Sequence, residues 1–344
     1  MKPLAMKAIA VAALALAGCE PAPVTLELRG ETMGTTYSVI AIDKTADLDR
    51  EVVQKAIDDA LADVNASMSN WDPSSEISVF NAQESTEPQA ISAELATVMA
   101  TANMVHRESM GLFDVTLGPV IELWGFGARD AESPVPSDAA IEAAQSLAGQ
   151  ESVLALVDDP PMLQKLHPDA TVYLASIAKG YGVDAVGEAL SDLGLRDFMI
   201  EIGGDLLAAG SNPDGTAWQI GIERPEPGRR TLQDVVALSG LGLATSGDYR
   251  NYFEQDGVRY SHIIDASTGR PITHTTASVT VLADSAMLAD AWATALLALG
   301  QERGLPVAEK NDLAALFIMR DPSVDDAQFV TAASPRFDAL SAAD

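Results

Sequence analysis

Apolar and polar positions along the chain repeat with two different periods. Val24 to Leu28 alternates apolar and polar side chains, as a half-buried strand does, and Thr36 to Ile42 is a second segment rich in β-formers. Between them, Gly30-Glu31-Thr32-Met33-Gly34-Thr35 is turn-like. Val53, Ile57, Leu61 and Val64 recur at helical spacing and predict a helix over Leu48 to Val64; Ile91 to Arg107 predicts another. Residues 129–138 are polar, contain Pro134 and Pro136, and predict a loop.

Val153 to Val157 and Phe198 to Ile202 predict buried strands, with Trp218 to Ile222, Ala277 to Leu282 and Ala314 to Met319 as further candidates. Ile177 to Leu193 predicts a helix. Ala286 to Leu299 predicts one that is apolar almost throughout, with Gly300 as its stop. Strands and helices intermix without a regular βαβ alternation. The expectation is an α+β fold of mixed or antiparallel sheets flanked by helices, not a doubly wound one. Residues 25–322 are assigned to one domain, and 323–344 to a polar tail with no chemistry.

The first residues carry a different signal. Lys2 and Lys7 precede an apolar run from Ala8 to Leu16. That run is shorter than the roughly 20 residues a bilayer span needs, and it has the form of an export signal, residues 1–18. It ends in Leu16-Ala17-Gly18-Cys19, which resembles a bacterial lipoprotein box. Cys19 is the only cysteine, so no internal disulfide can use it; lipidation is the expected role. The alternative is a cleaved signal with an incidental Cys. Residues 19–24 then form a short tether.

Charge narrows the partners. With 21 basic and 50 acidic side chains the chain carries −29, which repels nucleic acid phosphates and excludes them as a substrate class. An anionic ligand would need a metal or a few placed cations.

Candidate chemistry falls into four sets. Asp290 and Thr294 stand four apart, so a helix puts them on one face; a carboxylate with a hydroxyl is a hard-oxygen pair suited to Mg²⁺. The alternative is an Asp favouring the helix dipole and a back-bonding Thr. His262, at a strand end with Asp265 nearby, is a candidate general base or a structural imidazole, whereas His106 and His167 read as structural or surface. Gly203-Gly204-Asp205 and Ala175 to Tyr181, which includes Ser176 and Lys179, could present N–H groups to a phosphate. Met33, Trp71, Phe113 and Trp124 could flank a flat heterocycle or fill the core.

The order of these segments resembles the ApbE family of FAD:protein FMN transferases. Gly30-Glu31-Thr32-Met33-Gly34-Thr35-Thr36-Tyr37 is similar to its opening motif. Met68 to Asp72 with Ser75-Glu76-Ile77, Phe113 to Pro119, Ile177 to Tyr181, Gly203-Gly204-Asp205, Thr245 to Tyr249, His262 to Asp265 with Thr268-Gly269, and Asp290 to Thr294 follow in family order.

The resemblance implies an ApbE-like (T-fold-like) α+β architecture, FAD as donor substrate and Mg²⁺ as cofactor. It implies an enzyme that is lipid-anchored on the periplasmic side. The acceptor would be a Ser or Thr of a flavoprotein, such as a subunit of a sodium-pumping NADH:quinone oxidoreductase or related electron-transfer complex. By the same resemblance Ser176, Asp290 and Thr294 hold the metal; Met33, Trp71, Phe113, Asp114, Val115, Lys179 and Ile264 surround the flavin nucleotide; and His262 is catalytic, with Asp265 as orienter or alternative base. Tyr173, Ala175, Glu201 and Ala266 depart from the family's usual Asp, Gly, Asn and Pro. Two other functions are compatible with the motifs: an FAD pyrophosphatase, and a flavin-binding lipoprotein without turnover.

Overall fold

A computed structural model describes residues 22–126, 134–226, 228, 231–321, 323 and 328–341. Cys19, the export signal and residues 129–133 of the expected loop lie outside the described residues.

The chain opens with a hairpin, β1 (Val24–Thr32) and β2 (Thr35–Asp43), whose two-residue turn places Met33 and Gly34 at φ 49° and 72°. Two successive positive φ values match the twist of the strands they join. Helix α1 (Arg50–Met68) follows, capped by the Asp49 carboxylate, then α2 (Glu76–Ala82), β3 (Gln89–Ala90) and α3 (Ala93–Glu108), capped by Ser92. Three short helices, α4 (Gly118–Leu123), α5 (Asp138–Gln145) and α6 (Gln150–Val153), lead to the β4 (Leu154–Asp158) and β5 (Pro161–Lys165) hairpin.

Helix α7 (Ala178–Asp192) precedes two hairpins, β6 (Asp197–Ile202) with β7 (Asp205–Ala209) and β8 (Trp218–Glu223) with β9 (Leu232–Leu238). After β10 (Leu241–Gly247) come β11 (Tyr252–Gln255), β12 (Val258–Ser261), β13 (Ile264–Asp265), β14 (Arg270–Pro271) and β15 (Thr276–Ala283). Helix α8 (Ala286–Lys310), β16 (Ala314–Arg320), β17 (Phe329–Ala333) and α9 (Pro335–Ser341) complete the fold.

Eight strands form one antiparallel sheet in the order β1-β2-β6-β7-β10-β15-β16-β17. The α+β expectation, with antiparallel sheets and flanking helices, is met. Period-two alternation divides the two faces. On one face Val39, Ala41, Phe198 and Ile200 pack with Val53 and Ile57 of α1 and Val183 and Val186 of α7. On the other, Ile42, Leu206, Leu243, Leu316 and Ile318 meet the β8–β9 hairpin and Phe337 of α9. Helix α8 lies over β10 and β15, and its far side packs on α3; this double covering explains why it reads as apolar all round.

Two expectations need correction. Val153 to Val157 is not a buried strand: β4 belongs to a three-stranded sheet, β3-β5-β4, and Val157 is 40% exposed. The C-terminal segment is more than a tail, since β17 pairs with β16 and Phe337 is buried. The Gly300 stop is a break within α8, where Gly300 takes φ 70°, ψ 168° before helix resumes.

Candidate active site

The site is built around the first turns of α8. Ser285 caps this helix by accepting from the Leu288 N–H, and Asp184 of α7 accepts from the N–H groups of Ala286 and Met287 at 2.8 and 2.9 Å. These bonds satisfy donors that a helix start leaves free. Glycines permit the close docking: a Cβ on Gly180 would lie 2.3 Å from the Ala286 carbonyl oxygen, and one on Gly242 would lie 2.4 Å from the Ala286 nitrogen. Burial pushes the Asp184 carboxyl up to about 6, against the pull of those N–H groups.

One turn further along α8, Asp290 and Thr294 both line a cavity of about 880 Å³, as their spacing predicted. Asp290 Oδ2 accepts from Lys179 Nζ and from the Gly180 N–H, each at 3.2 Å. Thr294 Oγ1 lies 3.1 Å from Ser246 Oγ on β10. Lys179 Nζ also donates to Asp205 Oδ2 at 2.7 Å, so one ammonium sits between two buried carboxylates. Burial alone would favour the neutral amine, but the two carboxylates outweigh it and raise Lys179 above its ordinary range. Burial and then the Asp290 charge raise the Asp205 carboxyl, against the pull of Lys179.

His262 opens into the same cavity. Its Nδ1 lies 2.9 Å from the Asn251 carbonyl oxygen and must donate to it, which leaves Nε2 as the acceptor. Burial holds its ring below the ordinary imidazole value. The loop carrying Asn251 is anchored by buried Asp248, which accepts from Arg259 and, at both oxygens, from Arg320. Asp265 does not orient His262. Its carboxylate accepts from the Ser267 N–H and hydroxyl, approaches Arg303 at 4.0 Å, and does not line the cavity.

The other sequence candidates divide. Phe113, Asp114, Ile264, Ser176 and Lys179 line the cavity, as do Tyr173, Ala175 and Glu201. Asp114 is held by Thr116 and by the Gln150 N–H. Val115 lies just behind the wall, buried, with its carbonyl accepting from the Tyr173 N–H. Met33 sits at the hairpin tip beside Gly182, and Trp71 is 74% exposed; neither lines the cavity. Trp124 is core, its indole N–H donating to the Gly269 carbonyl.

The expected phosphate cradles are in use within the protein. Gly203 N–H donates to the Thr36 carbonyl and Gly204 N–H to Glu201. At the start of α7 the anion held by Gly180 is the Asp290 carboxylate.

Sequence reasoning missed Asp184, the Asn251 carbonyl and the Arg250–Glu223 pair at the cavity wall. It also missed Asn70 and Asn81. These hold the strand-like segment 172–174 by bonds from their amides to the Val172 carbonyl and from the Leu174 and Val172 N–H groups to their oxygens. No periodicity or motif marks a side chain whose partner is a distant backbone group.

The cavity wall carries five carboxylates (Asp114, Glu201, Asp205, Glu223 and Asp290) against Lys179 and Arg250. Among the described residues no three His, Cys, Asp or Glu side chains converge as a metal set. The donors that α8 itself presents are the Asp290 carboxylate and the Thr294 hydroxyl. That hard-oxygen set, inside an excess of negative charge, fits Mg²⁺.

Comparison with known proteins gives a consistent result. The ApbE family model matches residues 33–317. The FAD:protein FMN transferase of Vibrio cholerae is 44% identical over 307 residues, covering 89% of this chain and 91% of the relative. That of Haemophilus influenzae is 42% identical over 345 residues, covering 99% of each. Among solved structures, the flavin transferase ApbE from Vibrio cholerae superposes with a TM-score of 0.84 at 41% identity, over 93% of this chain and 100% of that one. The apo form of the Pseudomonas stutzeri flavinyl transferase ApbE gives 0.83 at 37% identity, over 94% and 98%.

Proposed function

Because this chain belongs to the ApbE family, we propose that its cavity binds FAD and delivers the FMN half to a hydroxyl of another protein. The chain is an FAD:protein FMN transferase, and its acceptor is a flavoprotein. The observation that carries the detailed reading is the shared opening of Asp290, Thr294 and His262 into one cavity.

In this reading the acceptor is a Ser or Thr side chain. Its oxygen forms a bond to the FMN phosphorus while the bond from that phosphorus to the oxygen of AMP breaks. The hydroxyl proton passes to Nε2 of His262, which the Asn251 carbonyl leaves free as an acceptor. Asp290, Thr294 and the backbone at Ser176 would hold Mg²⁺, which supplies positive charge against the pyrophosphate. Phe113 and Ile264 give the cavity apolar wall for the isoalloxazine, and Asp114 and Tyr173 give it polar contacts.

We further propose that the chain is exported and lipid-anchored through Cys19 on the periplasmic side of the envelope. No helix among the described residues is long and apolar enough to cross a membrane, so the lipid would be the attachment. A subunit of a sodium-pumping NADH:quinone oxidoreductase, or of a related electron-transfer complex, is the proposed acceptor. Incubating candidate acceptor domains with the protein, FAD and Mg²⁺ tests the reading: mass spectrometry should find an added FMN on a Ser or Thr. AMP release without modification of any acceptor would instead indicate a pyrophosphatase.

A further inference from the structure

Three elements converge on one ammonium. Lys179 comes from the first turn of α7, Asp290 from α8, and Asp205 from the start of β7. Asp205 is placed rigidly: the Gly203-Gly204 turn, both residues at positive φ, pairs Ile202 with Asp205 across the β6–β7 hairpin. The Lys179 stem runs beside this turn, since a Cβ on Gly203 would stand 3.5 Å from Lys179 Cδ. The ammonium is nearer Asp205, at 2.7 Å, than Asp290, at 3.2 Å. The side chains of both carboxylates are almost fully buried, at 5% and 4% exposure.

A cation cannot settle on Asp290 while Lys179 leans on the same carboxylate without cost, because two positive charges would then compete for it at short range. The neighbouring carboxylate lessens that competition, since it holds the ammonium at 2.7 Å while Asp290 holds it at 3.2 Å. We propose that Asp205 is a positioning residue that draws the Lys179 ammonium aside and so frees Asp290 to seat a divalent cation. This rests on the reading that Asp290 and Thr294 hold such a cation. Asp205 then acts only through Lys179 and is not a ligand. The arrangement also keeps the cavity floor from carrying two bare buried carboxylates before a cation arrives, a state that burial makes costly.

A double-mutant cycle read by cation binding tests this apart from turnover. Mg²⁺ binding would be followed by calorimetry, and Mn²⁺ binding by electron paramagnetic resonance, on the purified chain without FAD. Asp205→Asn should weaken cation binding by about tenfold or more, because the ammonium then concentrates on Asp290. Asp205→Asn should weaken binding much less in the Lys179→Gln background, where the competing ammonium is gone and only the through-space loss of one charge remains, so the double variant should bind more tightly than Asp205→Asn alone. Lys179→Gln leaves both carboxylates bare, whereas Asp205→Asn and the double variant do not, so the comparison of those two remains available if Lys179→Gln folds poorly.

Wild-type affinity in folded Asp205→Asn overturns the proposal. So does an Asp205→Asn effect as large in the Lys179→Gln background as in the wild type, which would make Asp205 act on the cation directly rather than through Lys179. If the wild type binds no cation, or Asp290→Ala binds it as the wild type does, the metal reading itself falls and the inference falls with it.

Discussion

Nδ1 of His262 lies 2.9 Å from the carbonyl oxygen of Asn251, eleven residues earlier, and no carboxylate takes that place. A carbonyl fixes the tautomer as well as an acid would, but it adds no charge to hold a proton on the ring. Burial therefore dominates and lowers the pKa, so the neutral, base-competent imidazole persists to lower pH than usual. The acidic limb of kcat/KM should fall below about 6.5, the ordinary imidazole value. His262→Ala should lower kcat by about 10²–10⁴-fold and leave FAD binding intact. An unaltered acidic limb in that variant would remove His262 from the chemistry, and loss of FAD binding would make it structural.

Gly180 and Gly182 lie on the same helix and should respond oppositely to a methyl group. A Cβ at Gly180 meets backbone atoms of Ala286 and Met287 at 2.3 to 2.7 Å, none of which can swing away. A Cβ at Gly182 meets the flexible Met33 Sδ at 3.2 Å first. Gly180→Ala should cost about 2 kcal/mol or more by forcing α7 from α8, whereas Gly182→Ala should be neutral or gain up to about 1 kcal/mol in helix propensity. Urea unfolding of the two variants gives the comparison. Equal stabilities would mean that the α7–α8 contact is not as close as the structure has it.

Asp184 should couple this junction to pH. Its folded-state pKa, about 6, stands above the ordinary carboxylate value of 3.8, so the proton binds more tightly to the folded protein. Its contribution to stability is complete below the lower value and is lost as pH rises through the higher one, by no more than about 3 kcal/mol. Asp184→Asn cannot ionise and escapes this loss, although its amide places a donor against one of the two N–H groups. The stability of the variant relative to wild type should therefore improve between pH 4 and pH 7. A difference independent of pH would show that Asp184 titrates normally.

What the sequence discloses and what it hides divide along a physical line. Val53, Ile57, Leu61 and Val64 marked α1 because one helix face meets one sheet face, and Asp290 with Thr294 marked a shared site because both lie on that kind of regular surface. Val153 to Val157 misled because an apolar run fits an edge strand of a small sheet as well as a buried one. Phe329 to Ala333 escaped because it is a strand only through its pairing with β16, which the local pattern does not contain. The His262–Asp265 pairing was inferred from proximity in sequence, but the β13–β14 hairpin turns Asp265 to its own turn residue, Ser267. The Gly203-Gly204 turn matched a phosphate cradle in composition; its N–H groups already have partners.

Asn81 offers the sharpest test of how the cavity wall is held. Segment 172–174 joins no sheet, yet Val172 exchanges two bonds with the Asn81 amide, at 2.7 and 2.8 Å, and its carbonyl also accepts from Asn70 at 2.7 Å. The next residues present Tyr173, Ala175 and Ser176 to the cavity. Asn81→Ala leaves the Val172 N–H without its partner and should cost about 1–3 kcal/mol. Asn81→Asp keeps the acceptor for that N–H but loses the donor to the carbonyl and adds a charge, so it should not restore stability. If the wall positions FAD, Asn81→Ala should raise the FAD dissociation constant more than it changes kcat at saturation, because the bond-making groups on α8 and at His262 are untouched. Fluorescence titration with FAD beside saturating kinetics separates the two. A fall in kcat with FAD affinity unchanged would show that the segment does not shape the flavin site.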